Sequence, residues 1–143
     1  MVALYNDSIL ALAAAVPHEA RLADPMGSAE RRSPICGSRV TVDIRIDELD
    51  RVSALGLLVR ACSLGRASAS LLARSAIGRS VEELAASRDA LEDWLAARGT
   101  LPDWPGMEVM APALPYGARH ASIRLAFEAA TEAAERAKMS RLS

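Results

Sequence analysis

Aromatic side chains are scarce. Phe, Trp and Tyr together make up only 3% of the 143 residues. That shortage excludes the stacked-ring platforms that bind single-stranded nucleic acid. It also means that the core must be built from Leu, Ile, Val and Ala, which favours helices packed through small residues. An excess of one charge is missing too. Seventeen basic residues meet 18 acidic ones, for a net charge of −1, so no general field toward nucleic acid or a membrane surface is expected. No run is long and apolar enough to span a bilayer: Ile9 to Val16 is too short. The first residues carry no basic region, and Asp7 comes early, so no signal peptide is expected. The expectation is a cytoplasmic protein. Only two cysteines are present, Cys36 and Cys62, with no Cys-x-x-Cys pair. In that compartment they are expected as thiols, metal ligands or redox groups rather than a structural disulfide. No Gly-rich phosphate loop, Ser-His-Asp set or His-Glu-x-x-His motif occurs, and an enzyme is not expected.

What is present describes a folded chain. Hydrophobic residues make up 51% and charged residues 24%, a globular balance. The length suits one domain over residues 1–143, with no internal repeat. Leu4 to Ala15 reads as a helix capped by Asn6 or Asp7 and stopped by Pro17. Pro17 to Pro34 reads as a polar loop. Arg39 to Asp47 alternates strictly: Val40, Val42, Ile44 and Ile46 share one face, and Thr41, Asp43 and Arg45 the other. That is the pattern of a half-buried strand. Arg51 to Ala61 is a second, more continuous apolar run, expected to be covered on both faces, and Asp47-Glu48-Leu49-Asp50 joins the two as a hairpin. Ser33 to Cys36 either extends the first strand or begins a third.

From Ser63 the period becomes helical, with Leu64, Ala67, Leu71 and Leu72 in one stripe that ends near Gly78. Ser80-Val81-Glu82-Glu83 is a capping box. It starts a helix that turns Leu84, Leu91, Trp94 and Leu95 inward, leaves room for a kink near Ser87 and ends at Gly99. Thr100 to Gly117 is Pro-rich, with one short helical turn at Met107 to Met110 and Trp104 pinning the insert to the body. Ser122 to Ala137 is an Ala-rich helix with Ile123, Phe127 and Ala130 on one face. The order implies an α+β fold: a small antiparallel β-sheet of about three strands with helices packed on one side.

A hairpin symmetric about Leu49 would oppose Val40 to Leu58, Ile44 to Ala54 and Cys36 to Cys62. A slip of one residue would undo this pairing, and the apolar second run does not fix the register. Cys62 also stands where strand becomes helix. There the helix dipole, with Arg60 and Arg66 nearby, favours a thiolate. Spacing alone leaves two readings open: reactive thiols that bind metal, or thiols that simply pack. His120 opens the last helix and His18 sits in a polar loop, the latter expected at the surface. Arg31, Arg32 and Arg39 read as a solvated face that could also meet an acidic partner surface. Asp89, Glu92 and Asp93 read as helix-surface charges.

Three segments resemble one family. Pro34-Ile35-Cys36-Gly37 is similar to the first cysteine motif of the U-type iron–sulfur cluster assembly scaffolds (IscU, SufU and the NifU N-terminal domain), typically Pro-x-Cys-Gly-Asp. Arg60-Ala61-Cys62-Ser63-Leu64-Gly65-Arg66 followed by small residues resembles the second motif. Gly78-Arg79-Ser80-Val81-Glu82-Glu83 resembles the Gly-Lys-Ser/Thr-x-Glu-Glu segment. The resemblance runs from Leu4 to the last helix and is specific between Cys36 and Leu84.

The resemblance implies a site of three cysteines and an aspartate, often with a histidine before the third cysteine. Such a site holds a transient [2Fe–2S] cluster or Zn²⁺, with sulfur supplied by a cysteine desulfurase and the cluster passed to recipient apo-proteins. Cys36 and Cys62 match the first two cysteines and His120 the histidine. Ala121 stands where the third cysteine is expected and Ser38 where the aspartate is. The Pro-rich insert is closer to the SufU branch, and the IscU chaperone segment is reduced to Leu114-Pro115. The set left is Cys36, Cys62 and His120, two sulfurs and a nitrogen. Zn²⁺ accepts that set with one outside ligand; a [2Fe–2S] cluster needs a fourth donor from a second chain or a partner. Three expectations follow: a scaffold or sulfur acceptor, a metal-free interaction or regulatory module on the same fold, or a Zn-dependent sulfur-transfer protein.

Overall fold

A computed structural model describes residues 4–34 and 37–142. Cys36 lies outside the described residues. The first helix, α1 (Asp7–Ala14), is shorter than its apolar run, because Asn6 takes the cap: its Oδ1 accepts from the Ile9 N–H at 3.1 Å. Part of the expected loop from Pro17 to Pro34 is a strand, β1 (Gly27–Arg32). Its last three residues, Glu30, Arg31 and Arg32, are exposed, so no apolar alternation announced it. Charged residues of this kind suit an edge strand. β1 pairs antiparallel with β2 (Arg39–Ile46), and β2 with β3 (Val52–Arg60), giving the sheet order β1-β2-β3.

The β2–β3 turn is symmetric where expected but does not stay so. Asp47 Oδ1 accepts from the N–H groups of Leu49 and Arg51, and Asp50 takes a φ of +59°. Ile46 pairs with Val52, but a bulge between Arg45 and Ile46 shifts every later pair by one residue. Ile44 therefore opposes Leu55 rather than Ala54, and Val40 opposes Val59 rather than Leu58. The expected pair of Cys36 and Cys62 lies outside the described residues. The reason for the slip is burial: it turns Leu55, Leu57 and Val59 into the core beside Ile44, Val42 and Val40. The unshifted register would have sent Ala54 and Leu58 inward instead.

Helices cover that inner face. α2 (Ser63–Ser75) packs on α1 and on α4 (His120–Arg141), and α4 lies across β1 and β2. Leu64, Ala67, Leu71 and Leu72 of α2 are buried, as are Ile123, Phe127 and Ala130 of α4. The Ser80–Glu83 capping box forms in full and starts α3 (Val81–Leu95), which runs without interruption and buries Leu84, Leu91, Trp94 and Leu95. It ends four residues before Gly99, with Ala97 in the left-handed region. The Pro-rich insert folds into 3₁₀ turns at Met107–Ala113 and Gly117–Arg119. Trp104 ties it down: its Nε1–H donates to Leu71 O at 2.9 Å, and its ring meets Phe127 edge-on at 5.1 Å. Among the described residues no helix is long and apolar enough to cross a membrane.

The outer face is only partly covered, against the expectation for Arg51 to Ala61. The segment from His18 to Leu22 lies on it as a strap, and His18 O accepts from the Leu57 N–H at 2.9 Å. Gly56 makes room: a Cβ there would come within 2.4 Å of Ala20 O. The His18 side chain is exposed as expected, while Leu58 remains 42% exposed.

Candidate metal and sulfur site

Cys36 lies outside the described residues, and Cys62 stands at the end of the sheet where β3 stops. Arg32, Arg39 and Arg60 lie side by side there. The loop of residues 33–38 starts from β1 at that end, and Cys62 follows β3 two residues later. The loop is closed by Ser33 N–H donating to Ser38 O at 2.8 Å and Gly37 N–H donating to Ser33 O at 3.1 Å. Gly37 has a φ of +71° with open space around it, a backbone state that glycine adopts without strain. Ser38, at the position of the expected aspartate, is buried.

Cys62 is the N-cap of α2, half-buried, and makes no side-chain capping bond. His120 is the first residue of α4. The two helix starts meet through small residues: a Cβ on Gly65 would lie 3.4 Å from Ser122 O, and Ser68 Oγ donates to Ile123 O at 2.6 Å. Two positive helix ends thus converge here, which favours negative charge such as thiolate or sulfide. Arg66, expected to act on Cys62, is instead spent elsewhere. It donates to both carboxylate oxygens of Glu19 and to the carbonyls of Ala13 and Val59. Those hydrogen bonds hold Glu19 below its ordinary carboxylate range.

The His120 ring is oriented by the insert. Its Nε2 lies 3.1 Å from Ala113 O and 3.0 Å from Leu114 O. Carbonyl oxygens only accept, so Nε2 donates to them, which leaves Nδ1 as the ring nitrogen open to a metal. A carbonyl partner on the far nitrogen is the usual second partner of a metal-bound histidine. Ala121 next to it offers no donor atom. Among the described residues no three His, Cys, Asp or Glu side chains form a metal-binding group. A concavity of about 850 Å³ lies between Asn6–Ser8 and the first 3₁₀ turn, and its lining includes neither Cys62 nor His120.

Two polar residues escaped the sequence reading. Asp43 was expected on the solvent face and is fully buried. It accepts from Arg21 Nε at 2.7 Å, Arg21 Nη2 at 3.0 Å, the Leu22 N–H at 3.0 Å and Ser28 Oγ at 2.6 Å. An aspartate in mid-strand, where Asp is disfavoured, was the available signal. Ser33, beside the cysteine loop, is buried, and its hydroxyl has no hydrogen-bond partner among the described residues. An unpaired buried hydroxyl costs about 1–3 kcal/mol. Ser33→Ala should therefore raise stability by about 1 kcal/mol in urea unfolding; a loss of stability would show that the hydroxyl is bonded.

Known proteins share this fold. A family model described as the NifU-like N terminal domain matches residues 4–134. The crystal structure of a nitrogen-fixing NifU-like protein (N-terminal) from Brucella abortus superposes with a TM-score of 0.90 at 36% identity, covering 95% of each chain. A putative iron–sulfur cluster assembly scaffold protein for the SUF system from Fervidobacterium islandicum AW-1 shares the fold, with a TM-score of 0.78 at 16% identity over 92% of this chain and 96% of that one. The iron–sulfur cluster assembly scaffold protein IscU of Streptococcus pyogenes serotype M1 is 26% identical over 77 residues, which is 54% of this chain and 48% of that protein. The chain thus spans about half the length of that curated relative. With a family match that runs from before α1 into the second half of α4, the chain belongs to the NifU-like N-terminal domain family.

Proposed function

We propose that this protein is a cytoplasmic scaffold or sulfur acceptor that holds iron and sulfide, or Zn²⁺, through Cys36, Cys62 and His120. The observation that carries this reading is the His120 ring. Its Nε2 is turned to two backbone carbonyls, which presents Nδ1 as a metal donor at the start of α4. Cys62, on the adjoining helix start, would supply a soft thiolate, and Cys36, four residues after β1 in the sequence, would supply a second. A cysteine desulfurase would deliver sulfur and apo-proteins would take the cluster. The protein holds and passes its cargo without turning over a substrate of its own. With Ala121 and Ser38 in two of the expected ligand positions, the fourth ligand comes from a partner, a second chain or water.

Metal and acid-labile sulfide in protein purified without oxygen test this. Cys62→Ala is expected to remove most of the bound metal, and His120→Ala to lower metal affinity at least about 10-fold. Unchanged metal content in the Cys62→Ala variant would sink the proposal. Iron with sulfide supports a scaffold. Zinc alone, with stimulation of cysteine desulfuration, supports a sulfur-transfer role. Ala121, which has no donor atom, favours a second reading, a metal-free interaction module. Rapid labelling of Cys62 by a thiol reagent in the native protein would count against that reading, because it requires an inert thiol.

A further inference from the structure

The outer face of the sheet carries a row of like charges. Arg32 pairs with Arg39 across β1 and β2, and Arg39 pairs with Arg60 across β2 and β3. Like charges directly opposite on one face destabilise a sheet. The next row is Glu30, Thr41 and Leu58, and the next is Ser28, Asp43 and Gly56. Glu30 is shared between Arg32 at 3.0 Å and Arg39 at 3.7 Å. Asp43 is taken up by Arg21. Arg60 is exposed and has no acidic partner among the described residues. Four guanidinium groups thus face two carboxylates, an excess of two positive charges in a chain whose net charge is −1.

We propose that this face docks an acidic segment of a partner protein, with one carboxylate side chain seated between Arg21, Arg39 and Arg60. The recess between those residues measures about 220 Å³ and is walled by Leu58, Thr41 and Glu30, whose carboxylate is held by Arg32 and Arg39. That is less than the 300 Å³ or so where pockets for small organic ligands begin, and enough for a single carboxylate. Guanidinium forks bind carboxylates in a bidentate way, which suits an all-arginine row. Leu58, exposed at the centre, gives an apolar contact inside the charged rim. The patch has no aromatic side chain, so it has no platform for bases. Arg60 lies two residues before Cys62, and Arg32 and Arg39 bracket the loop of Cys36. A partner held here sits beside the sulfur end. The inference rests on the scaffold reading for this purpose, and on sheet geometry for the docking itself.

A fluorescein-labelled peptide of about twelve residues, alternating Glu or Asp with Ala or Leu, probes the face by fluorescence anisotropy. A single-stranded oligonucleotide of equal charge serves as the competing probe. The peptide is expected to bind, to weaken between about 50 and 300 mM NaCl, and to bind about tenfold or more weakly to Arg60→Glu. Arg98→Glu, far along the chain in the turn after α3, should leave binding unchanged. Arg60→Glu should also melt at the same temperature as the parent or higher, because it puts a carboxylate opposite Arg39. Equal peptide binding in Arg60→Glu, tighter binding of the oligonucleotide, or no binding by the parent would overturn the inference. Metal content of Arg60→Glu separates the two proposals. A parent that holds no metal defeats the scaffold reading and leaves the peptide result to judge the docking face.

Discussion

Replacing Gly27 by alanine is expected to lower stability by about 3 kcal/mol or more. Gly27 opens β1 where the strand crosses α4. A Cβ there would lie 2.1 Å from Ala133 O and 2.5 Å from Ala137 N. Both obstacles are helix backbone, which cannot rotate aside as a side chain would. Ala133 and Ala137 are themselves fully buried, so the contact is already at its closest with methyl groups on one side only. Relief requires β1 to lift from α4, and β1 carries the loop of Cys36 at its other end. In a chain of this length such a loss lowers the melting temperature by about 10 °C. Gly117→Ala is the matched control, since nothing lies within 4 Å of its added methyl, and it should change stability by less than about 0.5 kcal/mol. A Gly27→Ala protein that melts within about 2 °C of the parent would refute this account of the strand–helix contact.

Asp43→Ala is expected to cost about 3 kcal/mol and to alter the acid limb of stability. Burial alone would raise the Asp43 carboxyl above its ordinary range. Hydrogen bonds from Arg21, Ser28 and the Leu22 N–H outweigh it and hold the group below that range. A carboxyl lowered in the folded state stabilises the fold in full above its unfolded value, near 3.9. That stabilisation is lost as pH falls through the lower folded value. Parent protein should therefore lose stability below about pH 4, and Asp43→Ala should lose less over the same window. Arg21 is half-exposed and returns to water, so most of the loss comes from Leu22 N–H and Ser28 Oγ left without their acceptor. The strap loosens with them. Urea unfolding at pH 7 and pH 3.5 measures both effects. A variant whose acid limb parallels the parent's would show that Asp43 is not ionised in the fold.

How much was legible can be judged from particular residues. Asn6 as a cap, the Ser80–Glu83 box and the inward stripe of α2 are local devices, and each formed as its residues imply. Cys62 at the junction of strand and helix was legible for the same reason. β1 was not, because an edge strand of Gly, Ser, Ala, Glu and Arg carries no apolar period; its partner β2 and the surface of α4 define it. The hairpin register was half legible. The turn at Asp47–Asp50 is local chemistry, but the bulge beside it answers to the core.

Composition, periodicity and capping residues by themselves determined the α+β class, most of the helices, the central hairpin and the positions of Cys36, Cys62 and His120 along the chain. These depend on interactions within a few residues, or on which side chains avoid water. Only the tertiary structure decided the register of β3, the burial of Asp43 beneath the strap, the orientation of the His120 ring and the arginine row on the outer face. Each of those joins segments distant in the chain, where the deciding energy is the fit of one surface on another rather than the preference of any residue for its own neighbours.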